Sequence, residues 1–332
     1  MRRGGAAAHL AQVTRDDLER RYGYFLDHLA RAGVIDLTAA AAGQVAPDRV
    51  ADFVTELRTR VSSVTLAQTI SKVRRMAEIL APERDLEWLR DIERELAFDA
   101  VPQSRAGQLV DGARLLEAGL VMIKEGELGQ DMPLLKRARL IRDGLMVALL
   151  SLCPIRLRNL AALEIGADLR NDAGAWWIAL DRRATKERRP DERPLHDVLK
   201  RPVELYLAVA RPILLREMTD WVAAADLRSL SDLRGAVWID SNLGRPMSYS
   251  GVEQAVAEAT RKALGVTLRP HMFRSCTATT AYIVAGDNPH LASALLQHTD
   301  QRVTQKHYNR ATNTQASITY SELIDAELKS TE

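Results

Sequence analysis

The sequence predicts a mainly α-helical protein with one small β-sheet, divided into two domains. Apolar residues recur at helical spacing through most of the 332 residues. One short run, Trp176–Leu180, is rich in the aromatic and branched residues that are typical of a strand. The stretch around Pro102 shows no periodicity. We therefore expect a helical N-terminal domain over residues 1–100, a linker over 101–108 and a larger α+β domain over 109–332.

Four helices are expected in the N-terminal domain. The first has a capped start at Thr14, where acidic residues follow within the next turn. The second begins at Pro47, because proline suits the first position of a helix. Apolar residues at helical spacing predict the third helix over Leu66–Leu80 and a shorter fourth over Leu86–Leu96. No strand pattern interrupts them, so this domain is expected to be all-helical.

The second domain is expected to combine helices with a small sheet. A basic turn follows the strand Trp176–Leu180, and Arg193–His196 can return from it as the second strand of a hairpin. Val237–Asp240 is expected as a further short strand. The expected helices share apolar residues at helical spacing and lie at Gln108–Glu125, Pro133–Leu152, Val203–Leu215, Gly251–Leu264, Met272–Val284, Leu291–Gln297 and Ser317–Lys329.

Composition places the chain among ordinary globular proteins and leaves its partner open. Apolar residues make up 46% and charged residues 27%, which excludes a disordered or fibrous protein. The net charge is only +2, so any surface that binds DNA must gather its positive charge locally. Cys153 and Cys276 are the only cysteines, and both lie in apolar stretches. We expect them to be buried thiols of a reducing compartment rather than a disulfide.

No segment is expected to enter a membrane. The longest apolar run, Leu145–Leu152, is far too short to cross a bilayer, and the N-terminus lacks the apolar stretch of a signal peptide. We therefore expect a cytoplasmic protein without a membrane partner. The sequence also has no Gly-rich phosphate loop, no metal-binding cluster of Asp and Glu and no cysteine pair with metal-ligand spacing, so no cofactor and no metal are expected.

Four groups of residues stand out as carriers of chemistry. In chain order they are Arg156, Lys186, the pair His271 and Arg274, and the pair His298 and Tyr308. Taken singly, an arginine at a helix end, a charged turn or a lone histidine is more often structural than catalytic. Their order and spacing favour catalysis. His271 and Arg274 are three residues apart at the start of an expected helix, so both face one side of it.

This series of residues resembles the catalytic domain of the tyrosine recombinases, also called the phage integrase family. That family carries an Arg after an apolar helix, a Lys in a β-hairpin, a His-x-x-Arg pair, a second His and a C-terminal Tyr, and the sequence matches each. The resemblance covers roughly residues 14 to 325. The sequence departs from the family pattern at Pro154, Asn159 and Gln297, where Gly, Glu and Gly are usual.

The resemblance implies a site-specific recombinase with a helical core-binding domain followed by a tyrosine-recombinase catalytic domain. The transition state of phosphodiester cleavage spreads negative charge over the non-bridging oxygens. Arg156 and Arg274 suit this charge, because a guanidinium is permanently charged and offers a planar fork of donors. His271 and His298 can donate to the same oxygens, and His271 can also accept the proton of the nucleophile.

Tyr308 is expected to be the nucleophile, and the product would be a 3′-phosphotyrosine. A phenol has a reference pKa of about 10, so it needs a base or cationic surroundings in order to attack. Lys186 can protonate the leaving 5′-hydroxyl if nearby cations lower its pKa. Tyr282 and Tyr320 are weaker candidates, because the first lies within a packed helix and the second in the apolar tail.

Two clusters of cations are the expected contacts to double-stranded DNA. They are Lys72, Arg74 and Arg75 in the first domain and Arg182, Arg183, Arg188 and Arg189 in the hairpin. The first cluster is equally well explained as a solvated helix face. The resemblance implies that four protomers act on two DNA sites through a four-way junction, with accessory DNA-bending or directionality factors as further partners. It also makes residues 317–329 a candidate for docking on a neighbouring protomer.

Three other readings of the sequence remain open at this point. A type IB topoisomerase-like enzyme would share the chemistry but would relax DNA in place of exchanging strands. A non-catalytic DNA-binding relative is disfavoured, because the full set of catalytic residues is present. A helical interaction protein, in which the Arg, His and Tyr residues coincide by chance, would show no DNA binding at low salt.

Overall fold

The residues that the computed structural model describes are 5–101, 109–182, 190–221, 230 and 233–284, with backbone alone for the last three. The chain separates into two compact units, Met1–Ser104 and Arg105–Glu332. The predicted fold class, mainly α with a small β-sheet, is confirmed. The functional assignment of the two units stays a prediction.

The described part of the N-terminal unit is helical. Its helices are α1 (Gln12–Arg31), α2 (Pro47–Arg60), α3 (Ser63–Leu80) and α4 (Glu87–Phe98). Their apolar faces meet in a core in which the ring of Phe25 lies edge-on to that of Phe53, with a centroid distance of 5.4 Å. The predicted capped start at Thr14 is wrong. The carbonyl of Ala11 already accepts the N–H of Thr14, so Thr14 lies inside the first turn of α1.

The helices of the second unit cover most of the expected positions. Their bounds are α5 (Gly112–Leu128), α6 (Leu134–Leu152), α7 (Leu157–Ala161), α8 (Lys200–Leu205), α9 (Arg211–Leu214), α10 (Tyr249–Leu264) and α11 (Pro270–Val284). A π-helical turn, Tyr206–Ala210, joins α8 to α9, so the single helix expected over Val203–Leu215 is interrupted. The expected helices at Leu291–Gln297 and Ser317–Lys329 lie outside the described residues.

The part of the chain that the structure describes contains one small mixed sheet. Its strands are β1 (Glu164–Ile165), β2 (Leu169–Asp172), β3 (Ala175–Leu180), β4 (Asp191–Pro194) and β5 (Gly235–Ala236), in the order β4-β3-β2-β1-β5. The β1–β2 pair is parallel and the other pairs are antiparallel. The hairpin of β3 and β4 agrees with the strands expected from the sequence. β1 and β2 had no sequence signal, because they are short and β2 is largely polar and exposed.

The strand expected over Val237–Asp240 is wrong, because the strand ends at Ala236. Side chains take the backbone carbonyls that a further strand pairing would use. The hydroxyl of Tyr206 donates to the Val237 carbonyl at 2.7 Å. The guanidinium of Arg142 donates to the Ile239 carbonyl, also at 2.7 Å. Residues 237–240 are held by these side chains and by isolated backbone bonds, such as that from the Met247 N–H to the Trp238 carbonyl at 3.0 Å, and not by a continuous strand pairing.

The main scaffold of the second unit is the helical hairpin of α5 and α6, which approach each other very closely. A Cβ atom added at Gly119 would lie 2.7 Å from the Gly144 carbonyl oxygen and 2.7 Å from the Ala148 nitrogen. A Cβ added at Gly144 would lie 2.6 Å from the Gly119 carbonyl oxygen. The two glycines therefore let the helix backbones touch. Around them pack buried residues such as Leu145 and Met146.

Both cysteines, Cys153 and Cys276, are free and buried, as the sequence predicts. Burial raises the pKa of the Cys276 thiol above its ordinary value.

Among the described residues, no helix combines the length and the apolar character that crossing a bilayer requires.

We predict that Gly119→Ala and Gly144→Ala each lower the free energy of unfolding of the second unit by about 1–3 kcal/mol, because the added methyl group meets backbone atoms that cannot move aside. Gly112→Ala, at the start of the same helix α5, is the matched control. Its Cβ would stand in ordinary contact with Thr280, at 3.5 Å or more. Chemical denaturation followed by circular dichroism measures the difference. Equal effects at Gly112 and Gly119 would contradict the close-packing argument.

Candidate active site

Arg156 lies in the short loop between α6 and α7 and is the residue at which α7 begins. Its carbonyl accepts the N–H groups of Asn159 and Leu160, both at 2.9 Å. These two bonds fix the backbone of Arg156, because they close the first turn of the helix. Its side chain is half-buried. In the sequence, this position is an Arg that follows a strongly apolar helix. In the structure, it is a corner of the second unit at which the backbone is fixed.

Arg274 lies on α11 and is buried, with 8% of its surface exposed. One of its guanidinium nitrogens, Nη1, donates to the carbonyl oxygen of Pro154 at 2.7 Å. Pro154 stands two residues before Arg156 in the same loop. One turn further along α11, the hydroxyl of Thr277 donates to the Ser151 carbonyl at 3.4 Å, at the end of α6. The two candidate arginines, far apart in sequence, are thus brought to one loop.

His271 is the second residue of α11, directly after Pro270. Its side chain is exposed, whereas that of Arg274 is buried one turn later. Residues three apart in a helix lie on the same side. The spacing therefore places the imidazole at the solvent end of the helix face that carries Arg274. An exposed imidazole on the helix that carries the buried Arg274 can reach a bound substrate as a donor or as a base.

The structure describes only part of the predicted site. It brings Arg156 and Arg274 together and places His271 on the same helix as Arg274. The other predicted catalytic residues, Lys186, His298 and Tyr308, lie outside the described residues and remain predictions. Arg182 is described and exposed directly after β3, whereas the other hairpin cations lie outside the described residues, namely Arg183, Arg188 and Arg189.

One feature of this region had no clear sequence signal, namely a buried ion pair on β4. The guanidinium of Arg193 donates to both carboxylate oxygens of Asp191, from Nε to Oδ1 at 2.6 Å and from Nη2 to Oδ2 at 3.0 Å. Only 14% of the Arg193 side chain and 8% of the Asp191 side chain are exposed. In the sequence, this pair is visible only as opposite charges two residues apart on an expected strand. That pattern is too common to identify a buried ion pair.

The thiol of Cys153 lies against this ion pair. Burial raises the pKa of Cys153 to about 11, and the hydrogen bond from Arg193 only partly opposes that effect. The thiol therefore remains uncharged near neutral pH. Burial alone would lower the pKa of Arg193, but its hydrogen bonds to Asp191 and Cys153 hold that pKa above its ordinary value. Arg193 is therefore a permanent cation in this buried position.

The predicted DNA-binding cations of the first unit differ in their surroundings. Lys72 forms an ion pair with Asp17. Arg74 is half-buried and pairs with Glu78 at 2.6 Å and with Glu93 at 2.5 Å.

Arg75 on the same helix is exposed, and the described residues offer it no ion pair. The three neighbouring cations are therefore not equivalent. Two of them have carboxylate partners within the unit, and Arg75 presents its charge to solvent.

Over the ranges that the structure describes, no group of three or more His, Cys, Asp or Glu side chains could hold a metal ion. The groups that the site offers to an anion are guanidinium and imidazole. Both can donate hydrogen bonds to phosphate oxygens without a metal ion. The described geometry therefore suits the binding of an anionic oxygen substrate by side chains.

The chain is similar to known proteins both in sequence and in structure. A model of the phage integrase family matches residues 128–315, which is more than half of the 332-residue chain. No curated protein sequence matches the chain. A crystal structure of XerA recombinase is similar at 14% identity with a TM-score of 0.40, over 92% of this chain and 91% of that chain. A crystal structure of a lambda integrase (75-356) dimer bound to a COC′ core site is similar at 13% identity with a TM-score of 0.48, over 91% and 90%.

We expect Arg74→Met to lower the free energy of unfolding of the first unit by about 1 kcal/mol, because Glu78 and Glu93 lose their half-buried partner. Arg75→Met removes an exposed cation from the same helix and should change stability by less than about 0.5 kcal/mol. Thermal unfolding of the two variants beside the wild type makes the comparison. A larger loss for the Arg75 variant would show that the ion pairs of Arg74 do not support the fold.

Proposed function

Because the chain belongs to the phage integrase family and is a DNA strand-transferring enzyme of the tyrosine recombinase type, we propose that it cuts and rejoins DNA through a covalent link to Tyr308. The observation that carries this proposal is the hydrogen bond from Arg274 to the carbonyl of Pro154. It ties Arg274 to the loop that carries Arg156, the other arginine that the motif pattern assigns to the same phosphate.

In the proposed first step, the scissile phosphate lies between the guanidinium groups of Arg156 and Arg274. The pentacoordinate transition state places more negative charge on the non-bridging oxygens than the ground state does. The guanidinium of Arg274 is held by a backbone carbonyl, so it can stabilise that charge with little reorganisation, and the backbone of Arg156 is fixed at the start of α7. His271 donates a further hydrogen bond or accepts the phenolic proton.

The proposed nucleophile is the phenolic oxygen of Tyr308. It forms a bond to phosphorus while the bond from phosphorus to the 5′-oxygen breaks, and the 5′-oxygen takes a proton. The general acid for that proton is Lys186, and His298 donates to the phosphate oxygens; these roles rest on the motif pattern. In the second step, the 5′-hydroxyl of another strand attacks the 3′-phosphotyrosine and releases the phenol, so no external energy source is needed.

We further propose the partners that the sequence pattern implies. They are two double-stranded DNA sites and three further copies of the chain, with strand exchange through a four-way junction and with accessory DNA-bending or directionality factors. In the first unit, Arg75 is the best-placed cation for a DNA phosphate, followed by Lys72, because Arg74 is engaged with two carboxylates. Arg182 is the corresponding described cation of the hairpin.

The proposed chemistry is tested by covalent trapping on a nicked suicide duplex that carries the ends of the cognate site. The wild type should form an adduct that resists SDS, and Tyr308→Phe should form none, because the phenolic oxygen is the atom that bonds to phosphorus. Tyr249→Phe is the matched control, since this tyrosine is 55% exposed at the start of α10. An adduct that survives the change at Tyr308 would contradict the assignment of the nucleophile.

The proposed DNA contact of Arg75 makes a separate prediction. Arg75→Ala should weaken DNA binding for all sequences alike and reduce the slope of log affinity against log salt by about 1, because one phosphate contact is lost. Arg94→Ala is the control, because this exposed arginine of α4 is already paired with Glu87 and Asp91. Titrations by fluorescence anisotropy at several salt concentrations give both slopes. Identical slopes for the wild type and the Arg75 variant would exclude this contact.

A further inference from the structure

We infer that Arg193 is a positioning residue for the strand-cleavage reaction, acting through Cys153 on the loop that carries Arg156. This inference rests on the function proposed above, and it adds a residue outside the motif that identifies the site. Arg193 lies on β4, at the base of the hairpin, and does not belong to the loop or to α11. It therefore links a third element to the two elements that carry the candidate arginines.

The first link is the orientation of Arg193 itself. Its two parallel hydrogen bonds to Asp191, at 2.6 and 3.0 Å, fix the plane of the guanidinium. β4 in turn is paired with β3 along its whole length, from Leu180 opposite Asp191 to Trp177 opposite Pro194. The guanidinium is therefore held by a strand of the sheet and has little freedom to rotate.

The second link is the contact with Cys153. This residue ends α6, and its N–H donates to the Leu149 carbonyl at 2.7 Å. Its thiol is buried against the Arg193 guanidinium, which is placed to donate to the sulfur. The first residue of the loop is thus tied to β4 by its side chain.

The third link continues from Cys153 to the candidate arginines. The N–H of Ile155 donates to the Cys153 carbonyl at 2.7 Å, which makes the loop a tight turn. Within that turn, the carbonyl of Pro154 accepts from Arg274. The turn is therefore held from two sides, by β4 through a thiol and by α11 through a carbonyl, and Arg156 follows it directly.

Stability alone does not explain a buried ion pair at this place. The desolvation of two charges offsets much of their attraction, and apolar residues of similar volume are often as stable. A planar, permanently charged group with five donors does offer geometric precision. Catalysis by fixed charges requires such precision, because an error of about 1 Å in placement can reduce a rate on the order of 100-fold.

The test measures single-turnover formation of the covalent adduct on the nicked duplex with the full-length enzyme in excess. Arg193→Lys keeps the charge but loses the planar fork, so the rate constant should fall by about ten-fold or more, while the affinity for the duplex stays within about two-fold because Arg193 is buried. Arg170→Lys is the matched control. Arg170 lies on β2 of the same sheet and forms an exposed ion pair with Glu192. The rate constant of the Arg170→Lys variant should therefore equal that of the wild type.

A second pair of variants tests the link through the thiol, in case changes at Arg193 prevent folding. Cys153→Ser keeps an acceptor for the guanidinium and should preserve most of the rate, whereas Cys153→Ala removes the acceptor and should slow it. Cys276→Ala is the control, because this buried thiol accepts from the Val110 N–H at 3.5 Å and not from a residue of the sheet or of the loop with Pro154.

The rate constant and the amplitude of adduct formation separate positioning from simple loss of folded enzyme. A purely structural role would reduce the amplitude and leave the rate constant unchanged, and that result would overturn the inference. Equal rate constants for Cys153→Ser and Cys153→Ala at the wild-type value would overturn it as well. If the wild type itself forms no adduct, the proposed function fails; if it does and Arg193→Lys matches it, this inference alone fails.

Discussion

The hydrogen bond from Arg274 to the carbonyl of Pro154 is the interaction on which the described site depends. It is buried, it is short, and it joins residues that are far apart in sequence. A buried backbone carbonyl needs a donor, and a buried guanidinium needs acceptors, so each group satisfies the other. The bond ties α11 to the loop two residues before Arg156, so it fixes where that loop lies relative to Arg274.

The scaffold around this bond is built to hold α6 in place. Gly119 and Gly144 allow α5 to lie directly against α6, and the end of α6 leads into the loop with Pro154. On the other side of the loop, the ion pair of Asp191 and Arg193 connects the sheet to the same turn. Packing, sheet and helix therefore converge on a few residues, which is the arrangement that charge stabilisation in a transition state requires.

The net charge of the chain is only +2, because 46 basic residues are nearly balanced by 44 acidic ones, and many of the cations are already paired. Several arginines are engaged with carboxylates or backbone carbonyls, such as Arg74 with Glu78 and Glu93, and Arg211 with the Ala236 carbonyl. Arg75 is exposed by contrast, and the described residues offer it no ion pair. Counting basic residues therefore says little about affinity for nucleic acid, since only cations that face solvent can release counterions from DNA.

The sequence by itself determined most of the described helices, the position of the β3–β4 hairpin to within two residues and the order of the motif residues. Helical periodicity and motif spacing are local properties, so they can be read along the chain. Only the tertiary structure decided that Arg156 and Arg274 share one loop, that Arg74 is already paired and that Arg193 touches Cys153. It also decided the short strands β1 and β2, which have no periodic pattern of their own. The physical reason is the same in each case, because these features depend on contacts between residues that are distant in sequence, and no local pattern records which distant partner a side chain will meet.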